Sequence, residues 1–503
     1  MSDPDESANR PATIGETLAN REYVAVFAAS SLSWFGDSVA RAAVIALVYL
    51  RTESPIASAA AFAISYLPWL GIGAVLAAIA DRYSYRKIMV LSDLLRMAIM
   101  VALAVFGGLP TAALIGLLFI SALLSPPFDS ARSALLPRIL TGEKYVTALT
   151  MQRTAAQVAL IAGYACGAAL TAVDSRYALV FNAGTFAASA LLVFFRVKER
   201  APSLRVEQRT NLIRESIEGY TVVFRSPVMR AIALLVFCGV CFGVVPEGLA
   251  AAWSAHLAGG PNAIYLGVIM VAAAVGFVFG SVLVTWLIKP HQRVKLIRPV
   301  AIITPLALVP SLFDPNIAGV VVMTLISGGA LAGTLPATNA LFVQVLPPAF
   351  RARAFGVMQS GVHLIQGGAI VGTGWLAEHF QLPNVVGYFS MAGVVAMAVI
   401  LTIWPAQATI ADAIAANKVR VAELEHAGRT PAGSEDFGEV TIDLGRAPLP
   451  ARRPRPSPGP AARPAHPPMA DPAERTVDLS ERTTELGGLP PPPSPSSQPA
   501  RHS

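Results

Sequence analysis

The chain has 503 residues, 54% of them apolar and only 14% charged, with a formal net charge of +7 and a mean hydropathy of +0.57. Soluble domains carry about a quarter charged residues, so this composition excludes a water-soluble globule and points to a chain immersed in lipid. No Gly-x-x-x-x-Gly-Lys-Ser/Thr phosphate loop, metal-ligand cluster or nucleophile elbow occurs, which leaves no cofactor and speaks against an enzyme, an ATP-driven pump or a nucleic-acid partner.

Residues 1–20 are polar and mildly acidic, and the apolar run behind them is too long for the core of a cleavable leader. A membrane crossing needs about 20 apolar residues. Runs of that length recur from Tyr23 to Pro405, and place twelve spans at 23–50, 57–80, 88–107, 111–129, 154–173, 177–195, 230–257, 264–288, 297–313, 317–344, 355–378 and 385–404. Segments following even-numbered spans hold most of the loop Lys and Arg: Arg82 to Lys87, Arg132 to Arg153, Arg196 to Arg230, Lys289 to Arg298, and Arg351 with Arg353. Loops after odd-numbered spans hold only Arg51 and Arg176. Positive charge stays on the cytoplasmic side, so both termini are expected there.

The expected organisation is a cytoplasmic segment 1–20, a first six-helix bundle 21–196, a linker 197–228, a second bundle 229–405, a short cytoplasmic helix 406–427 and a tail 428–503. In the linker, Leu212, Ile213, Ile217, Tyr220 and Phe224 share one side of an amphipathic helix over Asn211 to Arg225, suited to the membrane surface. In 406–427, Ile410, Ile414, Val421 and Leu424 form a stripe that Asn417 interrupts. The Pro-, Ser- and Arg-rich tail is too polar to order itself.

The halves repeat. Phe35-Gly36, Gly73, Met151-Gln152 and Gly167 recur as Phe242-Gly243, Gly280, Met358-Gln359 and Gly374, each 207 positions later and on the corresponding span. Such parallel duplications place a solute site between the halves at mid-depth. The fold class is therefore an all-α membrane protein of twelve spans in two six-helix parallel repeats.

Charge at bilayer depth costs at least ~2.5–3.5 kcal/mol per residue on insertion scales, so it marks a partner or an aqueous cavity. Asp37 falls near mid-depth of span 1, with Arg41 one turn on; they read either as a self-neutralising pair or as a cavity pair that takes a proton or a cationic solute. Glu247 in span 7 has no cation within a turn; it reads either as a partner of Arg41 across the repeat axis or, following Pro246, as a residue of a wet outer vestibule. Asp93 and Arg96, three apart in span 3, are expected to pair locally. His256 and His363 are expected to be hydrogen-bonded structural residues, and Gln152, Gln157, Asn182, Thr334, Asn339 and Gln366 to add polar lining. Cys166, Cys238 and Cys241 lie within spans and read as small hydrophobes. Pro68, Pro246, Pro305 and Pro336 predict kinks.

Asp81-Arg82-Tyr83-Ser84-Tyr85-Arg86-Lys87, between spans 2 and 3, resembles the Gly-x-x-x-Asp-Arg-x-Gly-Arg-Arg/Lys signature of the major facilitator superfamily, with Ala77 and Ser84 at the glycine positions. The likeness covers residues 21–404. Asp93-Leu94-Leu95-Arg96, and Arg132 with Leu136-Pro137, resemble the branch of macrolide-efflux and siderophore exporters; the Gly-Pro antiporter signature is absent from span 5. The resemblance implies a bacterial inner-membrane secondary transporter that exports a moderately hydrophobic small molecule, of drug or siderophore type, against proton entry. Its partners would be that solute, protons and membrane lipids. Asp81, Arg82, Arg86 and Lys87 are expected to form a cytoplasmic gate, with Asp81 facing the positive N-terminal end of span 11, while the three basic residues read equally as a plain positive-inside anchor. Two alternatives stay open. One is uptake of a nutrient or lipid, facilitated or proton-coupled. The other is a non-transporting scaffold or sensor whose tail, with Arg452 to Arg455 and Thr476, Thr483 and Thr484, binds partner proteins or is phosphorylated.

Overall fold

The computed structural model describes residues 12–70, 83–106, 109–200, 221, 223–288, 290–346 and 351–427. The tail, most of the linker helix, Asp81 and Arg82 lie outside the described residues. Among those described there is no strand. The helices are α1 (Ile14–Leu18), α2 (Arg21–Thr52), α3 (Pro55–Ala63, continued by a 3-10 turn Ile64–Leu70), α4 (Tyr85–Val105), α5 (Thr111–Leu123), α6 (Ser125–Ile139), α7 (Glu143–Val173), α8 (Ser175–Arg196), α9 (Pro227–Gly243), α10 (Val245–Gly248), α11 (Ala250–Ala258), α12 (Ala263–Leu287), α13 (Pro290–Leu306), α14 (Ile317–Val345), α15 (Arg351–His379), α16 (Leu382–Thr402) and α17 (Gln407–Ala427).

Short polar residues set the starts of these helices. Asn20, Ser54, Asp174, Ser226, Asn262 and Asn316 each accept a hydrogen bond from the first-turn backbone of the helix they precede, and Pro55 and Pro227 occupy first-turn positions that need no donor. Ten described stretches are long and apolar enough to cross a membrane. The second expected span is described only as α3 and its 3-10 turn. The eleventh is α15, 29 residues long and made less apolar by Gln359, His363 and Gln366. Many large apolar side chains, among them Phe195, Trp286, Leu287 and Phe313, lie exposed on the outside. In a membrane that surface meets acyl chains, and no water has to be excluded from it.

One expected boundary is corrected, and one expected kink takes the form of a break. The basic loop placed at 132–153 is almost entirely helix, because α6 runs to Ile139 and α7 starts at Glu143, leaving a turn through Gly142 at φ +59°. Pro126 and Pro127 permit this. They open α6 after a break at Leu124, where a proline's missing N–H interrupts no hydrogen bond. Span 7 is broken into α9, α10 and α11 around Pro246. By contrast, α14 runs through Pro336 without interruption.

Within the first half α2 packs against α7 and α8, and α4 against α8; within the second α14 packs against α12 and α13. Among the described residues the main helix pairs between the halves are α7 with α12 and α15 with the α3 segment, and the 207-residue repeat exchanges one pair for the other. At the first, the open face of Gly267 meets Ala168; at the second, Gly374 meets Ala59 and Ile56. One end of the second contact is tied by Glu378, whose Oε2 accepts from Ser54 Oγ at 2.9 Å and from the Ile56 amide at 3.3 Å. Further along, Ser360 Oγ donates to the Trp69 carbonyl at 3.2 Å, and His363 stacks on Tyr66 at 5.6 Å.

The stripe interruption at Asn417 has a cause. Its amide donates to the carbonyls of Gln344 at 2.8 Å and Leu346 at 3.3 Å, satisfying backbone acceptors at the C-terminal end of α14. Ile410 and Ile414 seat α17 on the core of the second half.

Gly276 and Gly280 of α12 lie against the backbone of Leu325 and Gly329 in α14, leaving no room for a Cβ. Gly276→Leu is therefore expected to destabilise the second half by about 1–3 kcal/mol through overpacking. Thermal unfolding of the purified protein in detergent reads this as a lowered midpoint.

Candidate functional site

A cavity of ≈ 230 Å³ opens within the first half. One wall is α2, with Trp34, Asp37 and Arg41; the others include Ser65 and Trp69 after α3, Arg96 of α4, Ser121 of α5, Asp129 of α6 and Asn182 of α8. The small residues of α2 allow the approach: Gly36 leaves room for Asn182 and Thr185, and Gly163 and Gly167 of α7 sit on the α2 backbone at Phe35 to Val39.

The expected pairings are rearranged. Asp37 does not pair with Arg41, nor Arg96 with Asp93. Instead Arg96 Nη2 donates to both carboxylate oxygens of Asp37 at 2.6 Å, and Nη1 donates to Ser33 Oγ at 3.3 Å. The Arg96 guanidinium also lies 4.2 Å from the Phe186 ring centroid. Its side chain is 4% exposed and that of Asp37 29%, so the arginine lies behind the carboxylate, which faces the cavity. The physical reason is reach. Asp93 and Arg96 occupy the buried face of α4, and only the longer arginine crosses to α2. Asp93 is fully buried, and neither of its oxygens has a hydrogen-bond partner.

Arg41 turns the other way, over the Phe62 ring at 5.6 Å. It sits in an electrostatic group with Tyr164, Tyr66, Asp37 and Glu247. The Tyr164 hydroxyl is beside it without a well-formed hydrogen bond. The expected direct pairing of Arg41 with Glu247 is not made: among the described residues no ion pair within 4 Å joins them, and only a longer-range charge interaction links the two. Glu247 is carried by the short α10, at the break in span 7.

A second ion pair was not among the expected site residues. Arg132 of α6 donates to Asp129 Oδ1 at 3.1 Å and to Gln152 of α7, and its guanidinium lies 4.8 Å from the Trp34 ring. With Arg132 read as a loop residue, nothing singled this pair out. The signal was available, because Asp129 and Arg132 repeat the i, i+3 spacing of Asp93 and Arg96.

The described members of the expected gate engage their own half. Arg86 lies 4.8 Å from the Phe194 ring centroid, and Lys87 Nζ is 2.7 Å from Glu199. That hydrogen bond holds the Glu199 carboxyl below its ordinary range. Nearby, Glu22 grips Arg200 and holds its guanidinium in the charged form, above its ordinary range. Both histidines are bonded as expected: His256 to Asp314 at 2.9 Å and His363 to Gln366 at 3.2 Å. Among the described residues no group of His, Cys, Asp and Glu is arranged to hold a metal.

Since Arg96 holds a direct ion pair and Arg41 does not, their removal should differ. Arg96→Gln is expected to lose about 1.5–3 kcal/mol, the scale of hydrogen bonds to charged groups, and Arg41→Gln clearly less. Thermal unfolding of both variants in detergent makes the comparison, and equal losses would contradict it.

The comparisons with known proteins agree with this architecture. The sequence profile of the Major Facilitator Superfamily matches residues 26–365. An uncharacterized MFS-type transporter of Bacillus subtilis (strain 168), YvqJ, is 25% identical over 268 residues, which cover 51% of this chain and 60% of that protein. The match therefore spans less than two thirds of that relative. Among solved structures, a POT family transporter in complex with 5-aminolevulinic acid aligns with a TM-score of 0.63 at 14% identity, covering 80% of this chain and 99% of that one. The nucleoside transporter NupG aligns at 0.60 and 14%, covering 77% and 100%. A bacterial homologue of the human lysosomal transporter Spinster aligns at 0.56 and 15%, covering 81% and 97%. At such identities the likeness is one of fold. The profile match covers more than half of the chain, and this multi-pass membrane protein belongs to the Major Facilitator Superfamily.

Proposed function

We propose that the chain exports a moderately hydrophobic small molecule, of drug or siderophore type, across a bacterial inner membrane by alternating access, with proton entry as the driving force. The observation that carries this is the Asp37–Arg96 pair facing a cavity whose other walls include Trp34, Trp69, Val44, Ile45 and Met100. An acid partly exposed to a cavity, with its counter-cation held behind it, has room to exchange a proton or meet a cationic group. Aromatic and aliphatic walls suit the apolar body of such a solute. Arg41 and Glu247, one from each half, supply a charge interaction that changes when the halves move.

With both termini taken as cytoplasmic, the Ser54–Glu378 contact lies at the outer end, where the halves meet. Asp81, Arg82, Arg86 and Lys87 then belong to the opposite, cytoplasmic end, and we assign them to a gate there. Uptake in the same fold would use the same cavity with the solute gradient reversed.

Proton-driven flux in inverted vesicles, measured across a panel of drugs and siderophores, tests the proposal. Asp37→Asn and Glu247→Gln are each expected to lower proton-driven flux by about 5–150-fold, the range of typical coupling free energies. Full flux with unchanged proton dependence in both variants would sink the coupling assignment, and uncoupler-insensitive movement would favour facilitated uptake.

A further inference from the structure

We propose that Asp37 and Asp93 share one proton and one guanidinium, and that Arg96 is the arm that passes between them. The proposal deepens the coupling reading above and rests on it for its role in transport, but its geometry stands apart from any solute.

Asp93 is fully buried in α4, and both carboxyl oxygens lack a hydrogen-bond partner. The groups acting on it are Arg96 from its own helix, Ser189 from α8, Asp37 from α2 and Asp129 from α6. Ser189 Oγ is itself buried without a partner, so it makes no well-formed bond to the acid. A buried carboxylate with no hydrogen bonds is too costly to persist as an ion, whereas the neutral acid is tolerated. The only cation within a turn of Asp93 is Arg96, and its Nη1 and Nη2 are committed to Ser33 and Asp37, while Nε has no partner.

Residues three apart on a helix are neighbours. Arg96 therefore reaches Asp93 by rotation about its own side-chain bonds, without movement of α4. Two arrangements follow with the same total charge. In the first, whose guanidinium position the structure shows, Arg96 holds the Asp37 carboxylate and the proposal puts the proton on Asp93. In the other, the O–H bond at Asp93 is broken, an O–H bond is formed at Asp37, and the guanidinium crosses to the Asp93 carboxylate. One proton and one cation exchange places, so the site gains no unpaired charge in either state. Asp37, partly exposed to the cavity, is where that proton meets water or gives way to a cationic solute. Asp93 is the sheltered position.

Infrared spectroscopy of the full chain in lipid vesicles at neutral pH, with isotope-labelled aspartate to separate its bands from glutamate, reads the neutral acid directly. The wild type is expected to show a carboxylic-acid C=O stretch that Asp93→Asn removes. Asp37→Asn is expected to remove the same band with Asp93 still present, because Arg96 then has only Asp93 to pair with. Asp37→Ser repeats the test should the asparagine variant fail to assemble. A band that survives loss of Asp37, or a wild type from which Asp93→Asn removes no band, overturns the proposal. Solute flux is not read, so a chain that fails the vesicle assay above would still give a clear answer here.

Discussion

Hydrocarbon offers a charge no solvation, and much of this structure follows from answering the charges it contains. Asp37 on α2 is answered by Arg96 from α4, and Asp129 on α6 by Arg132 from the same helix. Each pairing also fixes a neighbour. Arg96 binds Ser33 and lies against Phe186, tying α2, α4 and α8 together. Arg132 binds Gln152 and lies over Trp34, tying α6, α7 and α2. The cavity is the space these two ties leave open, which is why its polar lining comes from the first half.

Much of this was legible in the sequence, because the signals are those of solvent preference. Apolar run length, the placement of Lys and Arg between runs, and the 207-residue repeat were enough to predict a helical membrane chain in two related halves. The candidate acids were legible for the same reason, since charge in a span is rare. Their partners were not. Helical spacing ranks Arg41 beside Asp37 and Arg96 beside Asp93, but a long side chain chooses between its own helix and the next one by what lies across the gap. That is a property of packing. Arg132 was obscured by a different effect. Span 4 was ended at residue 129 with its apolar run, whereas the helix that opens at Ser125 continues to Ile139 and carries Arg132 with it.

The halves share a backbone plan and differ in chemistry. Equivalent helix pairs, α7 with α12 and α15 with α3, join them, and Gly267 and Gly374 permit the close approach in each. Glu247 alone among the candidate acids comes from the second half, carried on α10 where span 7 is broken. A break of this kind frees backbone groups from their helical partners and needs a wet or protein-lined setting. Its position near Arg41 puts that irregular backbone where the two halves meet.

The contact made by Glu378 bears on how tightly that junction holds. Its carboxylate serves as a cap for α3 supplied by the other half, since it accepts the Ile56 amide as well as the Ser54 hydroxyl. Both bonds are solvent-accessible, and a bond of this sort contributes only about 0.5–1.5 kcal/mol net, because water replaces it when it breaks. Separation at this end would leave the first turn of α3 capped by Ser54 alone and hydrated, with no charge stranded in an apolar gap. The fastening is a latch of low strength rather than a bolt. That is the kind of closure a protein needs if the same seam has to open and shut in every cycle.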